Sequence, residues 1–540
     1  MHNRKGDPIM WIRILVVIIV ALSGALDHAF ADSPSRPNIV FILCDDLGYG
    51  DLKCLNPNGK IATPRLDRLA SEGMIFTDAH SGSGVCSPTR YGLMTGRYAW
   101  RSKLQSGVLG GLSPRLIEND RLTVAQMLKN AGYHTACIGK WHLGMNFVRL
   151  PGKEVSELSI EPQEQNRNVD YAQPIQNGPN AVGFDEYFGI SASLDMVPYA
   201  FIENDRLTSQ PTEERSFAMM LGKRQGQTRL GPAAPGFEAS DVLPTLTQRA
   251  VRYIQTRLET KSPFFLYLPF ASPHTPIAPT EEWTGKSQLN PYADFVMQTD
   301  HAIGQVLDAI DQAGQAENTL VIVTSDNGCS PQADYPALLA LGHNPSAQFR
   351  GTKADIYEGG HRVPFLARWK GHVAAGSSCA DTICLTDLMA TCAEITGVSL
   401  PETAAEDSVS FLSGLRGLEH AKRPPVIHHS INGSFAIRDG SWKLAFCSGS
   451  GGWSEPRPGK EPADASPVQL FDLSKDIGEQ KNLIDTHPEQ VTRLTQLMEK
   501  FIADGRSTPG ASQSNSVPVS LWKSGPAANK AKAARPRAKN

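Results

Sequence analysis

Four short, strongly apolar runs constrain the fold of this 540-residue chain more than anything else in it. They are Asn38–Cys44 (NIVFILC), residues 134–139 (HTACIG), residues 263–270 (PFFLYLPF) and Thr319–Ser325 (TLVIVTS). Continuous apolar runs of this length suit strands buried on both faces of a sheet. Apolar residues at helical spacing mark the segments 123–130, 246–257, 295–313 and 382–395. Such alternation predicts an α/β sandwich around a large, mostly parallel central sheet. Each apolar run also passes directly into polar residues: Asp45-Asp46, Lys140-Trp141-His142, His274 and Asp326-Asn327. Ligands of open α/β sheets bind beyond the carboxyl ends of the strands. Four segments distant in sequence are therefore expected to place their tips on one rim.

A chain this long is expected to divide into two domains. Past about residue 420 the pattern changes. Residues 433–446 read as a hairpin turning at Asp439-Gly440, residues 468–473 as a further strand, and Pro488–Asp504 as a helix. The expected organisation is a signal peptide over 1–31, a catalytic domain over 32–420, a small C-terminal α+β domain with an antiparallel sheet over 421–517, and a disordered basic tail over 518–540. Arg4, Lys5 and Arg13 precede or flank the apolar run 14–22, and Ala29-Phe30-Ala31 is a small-x-small site. This predicts cleavage after Ala31 and a secreted or periplasmic protein, the apolar run being short for a membrane span. The net charge of −3 provides no global field for nucleic acid or a membrane surface. Nine cysteines are an odd count. Export permits disulfides, and Cys379 and Cys384 are close enough in sequence to pair, although sequence does not decide it.

The chemistry is concentrated at Cys86-Ser87-Pro88-Thr89-Arg90, followed by Tyr91-Gly92-Leu93-Met94-Thr95-Gly96-Arg97. Pro88 suits the first turn of a helix, where a missing N–H costs nothing. Cys86 is then expected just ahead of a helix N-terminus, where free N–H groups and the dipole favour an anion. Arg90 adds a positive charge on the same turn. A buried structural cysteine is the ordinary alternative. A tyrosine-phosphatase loop would need its arginine at position 92, which is glycine.

The stretch resembles the signature of type I sulfatases, Cys-x-Pro-x-Arg followed by Thr-Gly. Further stretches match that family: Gly-Lys-Trp-His-Leu-Gly at 139–144, Ser272-Pro273-His274-Thr275-Pro276, Arg350-Gly351-Thr352-Lys353 with Glu358-Gly359-Gly360, and Leu470-Phe471-Asp472-Leu473 with Asn482-Leu483. The resemblance covers most of residues 37–370 and points to the arylsulfatase and N-acetylgalactosamine-6-sulfatase-like group, with an alkaline-phosphatase-like fold. It implies that Cys86 is oxidised to formylglycine by a formylglycine-generating enzyme, and that the aldehyde hydrate is the nucleophile. It further implies catalytic roles for Cys86, Arg90, Lys140, His142, His274 and Lys353. Arg90, Lys140 and Lys353 would neutralise sulfate, His274 with Lys353 would protonate the leaving alcohol, and His142 would take the last hydroxyl proton.

Asp45, Asp46, Asp326 and Asn327 are two pairs of hard oxygen donors. Without histidine they favour calcium or magnesium over zinc, and the resemblance implies that they hold one calcium together with the modified Cys86. The expected substrate is a sulfated saccharide or an aryl sulfate. The alternatives are a formylglycine-dependent phosphonate monoester or phosphodiester hydrolase, and a non-catalytic sulfoglycan-binding protein. Against the last stand intact Cys86, Arg90, Lys140, His142, His274 and Lys353. His343 and Asp195 are candidate substrate contacts. The segment 183–206 combines Phe184, Tyr187, Phe188, Tyr199 and Phe201 with Asp195, Glu203 and Asp205. It reads either as a sugar-facing surface, favouring exo-action on small or terminal sulfated sugars, or as core aromatics with solvent-facing acids.

Overall fold

The computed structural model describes residues 36–151, 166–222, 226–260, 262–419 and 422–523. The signal-like segment, its cleavage position and residues 524–540 of the tail lie outside them. Ten strands form the large sheet: β1 (Asn38–Cys44), β2 (Met74–Phe76), β3 (His134–Lys140), β4 (Glu186–Ile190), β5 (Ile202–Glu203), β6 (Arg206–Leu207), β7 (Phe264–Pro269), β8 (Thr319–Ser325), β9 (Phe365–Arg368) and β10 (Ser377–Cys379). Their order across the sheet is β10-β2-β9-β8-β1-β7-β3-β4-β5-β6. The five central strands, β8-β1-β7-β3-β4, are all parallel, whereas β9 is antiparallel to both its neighbours.

The apolar runs explain this arrangement. Strand β1 sits between β7 and β8, with Ile42 opposite Leu268 on one side and Val323 on the other. Successive side chains of a strand point to opposite faces. Ile39, Phe41 and Leu43 accordingly enter one core, and Val40, Ile42 and Cys44 enter the other. The first core lies beneath helices Cys86–Thr95, Val124–Asn130 and Leu388–Thr396. The second lies beneath Pro64–Glu72, Val242–Leu258 and Pro291–Gln312. Residue 382 does not begin a helix: Ile383–Cys384 pair as a short strand and Leu385–Asp387 form a 3-10 turn before Leu388. All nine cysteines are free thiols, so Cys379 and Cys384 are not bridged.

Four further strands, β11 (Val426–His429), β12 (Phe435–Asp439), β13 (Trp442–Ala445) and β14 (Gln469–Asp472), make an antiparallel meander. Gly440 occupies the β12–β13 turn at φ +63°, where a side chain would be strained. Helix Pro488–Asp504 covers this sheet through Leu494, Met498 and Phe501, which share a core with Tyr98 and Trp100. The same junction buries an ion pair. Arg101 donates to both Asp407 oxygens (2.8 and 2.9 Å) and to the Phe501 carbonyl (2.9 Å), with no exposure of either charged side chain. Removing one member of such a pair strands the other, at a cost of about 3–5 kcal/mol. Arg101→Ala is therefore expected to lower the thermal unfolding midpoint clearly, measured by calorimetry or circular dichroism. A midpoint equal to that of the parent protein would contradict the role assigned to the pair.

Candidate active site

The tips of β1, β3, β7 and β8 converge with the start of the Cys86–Thr95 helix. Val85 is the extended N-cap and Cys86 is the first helical residue, one position further in than the sequence predicts. The whole helix is buried, and Cys86 is 2% exposed. Gly84 lets the loop press against the chain that follows Lys353. Its carbonyl accepts from the Ala354 N–H at 2.7 Å, and a Cβ on Gly84 would lie 2.8 Å from the Asp355 carbonyl oxygen. Burial pushes the Cys86 thiol up, while Lys140 and Lys353 pull it down less strongly.

Around Cys86 three carboxylates face three cations. Arg90 donates to Asp326 Oδ2 from Nε (3.1 Å) and Nη2 (2.8 Å), and to the Lys140 carbonyl from Nη1 (2.9 Å). Lys140 Nζ lies 2.6 Å from Asp45 Oδ2. Lys353 Nζ lies 2.7 and 2.8 Å from the two Asp46 oxygens. Burial opposes the charge on Asp45, but Lys140, His274, Arg90 and Lys353 outweigh it and hold its carboxyl far below the usual range. At Asp326, burial and then the neighbouring Asp45 charge push the carboxyl up.

Asn327 donates from Nδ2 to Asp46 Oδ1 at 2.7 Å. Two oxygens, Asp45 Oδ1 and Asn327 Oδ1, are buried with no hydrogen-bond partner. Buried polar atoms are rarely left so. Orphaned oxygens of a carboxylate and an amide, beside Asp46 and Asp326, fit a hard divalent cation. Asp46 Oδ atoms, Asp45 and His274 also lie within reach of one another as a potential ligand group. Asp46 (φ +66°), His142 (φ +57°) and Ala354 (φ +80°) hold left-handed backbone conformations in this small region. Such conformations in non-glycine residues cost of order 1–3 kcal/mol and cluster at functional sites.

Both histidines of the motifs are oriented by carbonyls. His142 Nε2 donates to Leu109 O at 2.8 Å, leaving Nδ1 buried and unpartnered. Burial, then the Lys140 charge, hold its pKa well below the usual value, so the ring is neutral. His274 Nδ1 donates to Thr275 O at 2.6 Å, and its Nε2 lies 3.7 Å from Asp46 Oδ2.

Several residues sit otherwise than the sequence suggests. His343 is fully buried and both ring nitrogens are occupied: Nε2 donates to Asp51 (2.8 Å) and Nδ1 accepts from the Lys60 N–H (3.1 Å). Asp51 also accepts from the Tyr292 hydroxyl, whose oxygen lies 3.2 Å from the Asp46 carbonyl. His343 thus supports the Asp45-Asp46 loop and is not free to touch substrate. Asp195 has Oδ2 paired with Arg229 (3.2 Å) and Oδ1 enclosed; the more exposed member of that pair is Arg229. Phe184, Tyr187 and Tyr199 are core residues, Phe184 stacking on Phe265 and Tyr267. Phe188 stacks on Phe201, and Glu203 pairs with Arg249. The sugar-facing reading of these aromatics does not hold, because the segment supplies β4, the fifth parallel strand.

That strand supplies a residue the sequence reading missed. Ser193, three positions beyond β4, places Oγ 2.6 Å from Lys140 Nζ. Recognising residues 186–190 as a buried strand would have put Ser193 on the same rim as the other tips. A second buried group, His80, His361 and His428, lies under the C-terminal sheet. His361 and His428 are stacked at 3.8 Å with 10° between planes. Asp78, Ile356 O and Ser81 O take ring nitrogens of the three, which makes the group a structural polar seam.

The profile of the family described as Sulfatase matches residues 37–398. An N-acetylgalactosamine-6-O-sulfatase of Bacteroides thetaiotaomicron is 34% identical over 520 residues, covering 90% of this chain and 96% of that protein. Human arylsulfatase A is 32% identical over 519 residues, covering 92% and 93%. A structure solved in work on glycosaminoglycan metabolism by Bacteroides thetaiotaomicron superposes with a TM-score of 0.72 at 30% identity, covering 86% of this chain and 99% of that one. Three carboxylates facing three cations around a cysteine at a helix start, in a sheet of this order, agree with those matches: the chain belongs to the sulfatase family and is a hydrolase of sulfate esters.

Proposed function

We propose that this sulfatase removes sulfate from a sulfated carbohydrate, using a formylglycine made from Cys86 and one calcium ion. The observation that carries the reading is the enclosed cluster of Asp45, Asp46, Asp326 and Asn327 with two orphaned oxygens, set against Arg90, Lys140 and Lys353 beside Cys86. Calcium on the four oxygen donors and the modified residue would supply fixed positive charge for a sulfate oxygen and for the ionised nucleophile. The hydrated aldehyde would supply one hydroxyl to attack sulfur and a second whose loss of a proton re-forms the aldehyde as the bond from carbon to the sulfated oxygen breaks and sulfate leaves.

The chain's own side chains do the rest. Lys140 and Lys353 neutralise sulfate oxygens, and Ser193 orients Lys140 through its 2.6 Å contact. Arg90, anchored on Asp326, adds its charge and holds that carboxylate. His274, with Nδ1 fixed on Thr275 O, carries a proton on Nε2 beside Asp46 and delivers it to the departing oxygen. His142, neutral with Nδ1 unpartnered, accepts the proton of the remaining hydroxyl. Asp195 positions Arg229 at the rim for groups of the sugar. We read residues 1–31 as an export signal, 32–420 as the catalytic domain and 421–517 as a C-terminal domain. A formylglycine-generating enzyme is the partner in maturation, with no stable membrane insertion after signal cleavage. Among the described residues no helix is long and apolar enough to cross a membrane. The N-acetylgalactosamine-6-O-sulfatase relative supports a sulfated amino sugar as substrate.

Asp326→Ala tests the metal reading. It removes one oxygen donor and frees Arg90, so it is expected to weaken metal retention clearly, with loss of activity on nitrophenyl sulfate. Elemental analysis of active parent protein should find calcium. Zinc as the one ion present, or full metal content in the variant, would count against the assignment.

A further inference from the structure

We propose that Trp453, on a loop of the C-terminal region, is the platform on which the sugar next to the sulfated one stacks. Among the described residues, large apolar side chains left exposed are leucines, with Trp453 as the one aromatic, at 37% exposure. An exposed indole is a flat apolar face with a polar edge, the shape that packs against the C–H face of a sugar ring.

The loop that carries it is fastened to the catalytic lysine loop. Asp355 is a buried carboxylate that accepts from Trp453 N–H (2.8 Å), Ser454 N–H (3.0 Å), the Ser454 hydroxyl and Thr352 N–H (2.8 Å). Ile356 N–H donates to the Ser450 carbonyl at 2.8 Å. Glycine lets the two loops close up: a Cβ on Gly452 would lie 2.4 Å from the Ala354 carbonyl and 2.5 Å from Asp355 Oδ1. Gly451, at φ +61°, would place a Cβ 2.6 Å from Ser430 Oγ. All of this fixes the backbone of Trp453 while its side chain packs away only in part.

Lys353, whose ammonium rests on Asp46, is two residues from Asp355, so their Cα atoms are at most about 7 Å apart. The Trp453 main chain is thus tied to the carboxylate two residues beyond that lysine. On this inference the neighbouring sugar of the leaving alcohol meets the exposed indole. The placement gives a different part of the substrate to the C-terminal region than to the sheet rim, and it rests on the carbohydrate reading above.

The test compares Trp453→Ala and Trp453→Phe with the parent protein on a sulfated disaccharide, the matching sulfated monosaccharide and nitrophenyl sulfate, after confirming equal thermal midpoints. For Trp453→Ala the ratio of kcat/KM on the disaccharide to that on nitrophenyl sulfate is expected to fall about tenfold. The change should lie in KM, should be small for the monosaccharide, and should be largely restored by Trp453→Phe. Equal losses on all three substrates would mean that Trp453 only braces the Lys353 loop, and an unaltered ratio would remove it from the substrate path; either overturns the inference. If the parent protein cleaves nitrophenyl sulfate but no sulfated saccharide, the carbohydrate reading falls with it.

Discussion

Cys86→Ala is expected to abolish turnover, by at least about 10⁴-fold on every sulfate ester, because it removes the nucleophile and not a helper. The side chain lost is small and sits at the first position of a buried helix, so folding should be retained. The parent protein should carry an aldehyde or its hydrate in place of the thiol, visible by mass in the tryptic peptide 69–90. Protein made without the modifying enzyme should be folded and inactive. Cys86→Ser separates this chemistry from simple nucleophilic attack. A serine hydroxyl can accept the sulfuryl group, but it has no geminal hydroxyl that could collapse to a carbonyl and expel the sulfate, so the variant should turn over at most once and remain sulfated. Full multiple-turnover activity from protein whose Cys86 is a plain thiol would refute the formylglycine assignment. So would an active serine variant.

The parts of this structure that were legible in the sequence are those where one local rule decides the outcome. Asn38–Cys44 and Thr319–Ser325 are uniformly apolar because both faces of the sheet are covered, and the strands occupy those residues. Pro488–Asp504 begins at proline and ends before Gly505 in a left-handed conformation, so both ends are marked chemically. Asp45-Asp46, Trp141-His142, His274 and Asp326-Asn327 stood out because each comes just after an apolar run that forms a strand. What failed depended on tertiary neighbours. Residues 186–190 alternate charged, aromatic and small types, and burial of Tyr187 beside β3 decides that they form a strand. Ser193 gained its place from that decision. His343 looked like a free histidine beside a catalytic motif. Only the fold brings Asp51 and the Lys60 N–H, far away in sequence, onto its two nitrogens. The same limit applies to Trp453, since nothing local to CSGSGGWSEP announces that Asp355 will hold it next to Lys353.

His274→Ala should discriminate between leaving groups. A sugar hydroxyl departs as a strongly basic alkoxide and needs a proton as the S–O bond breaks, whereas nitrophenolate is stable without one. General-acid catalysis contributes roughly 10²–10⁴-fold. The variant is thus expected to lose about that much on a sulfated sugar and far less on nitrophenyl sulfate. The structure gives this residue the required form. With Nδ1 donating to Thr275 O, the ring presents Nε2 toward the site, 3.7 Å from an Asp46 oxygen. The competing role is as a ligand or brace for Asp46, since the two side chains are close enough to share a cation. That role makes a different prediction: loss of a brace would depress both substrates alike and lower metal content together with activity. His274→Ala with intact metal content and a selective loss on poor leaving groups identifies the general acid. Equal losses on the sugar sulfate and on nitrophenyl sulfate exclude it.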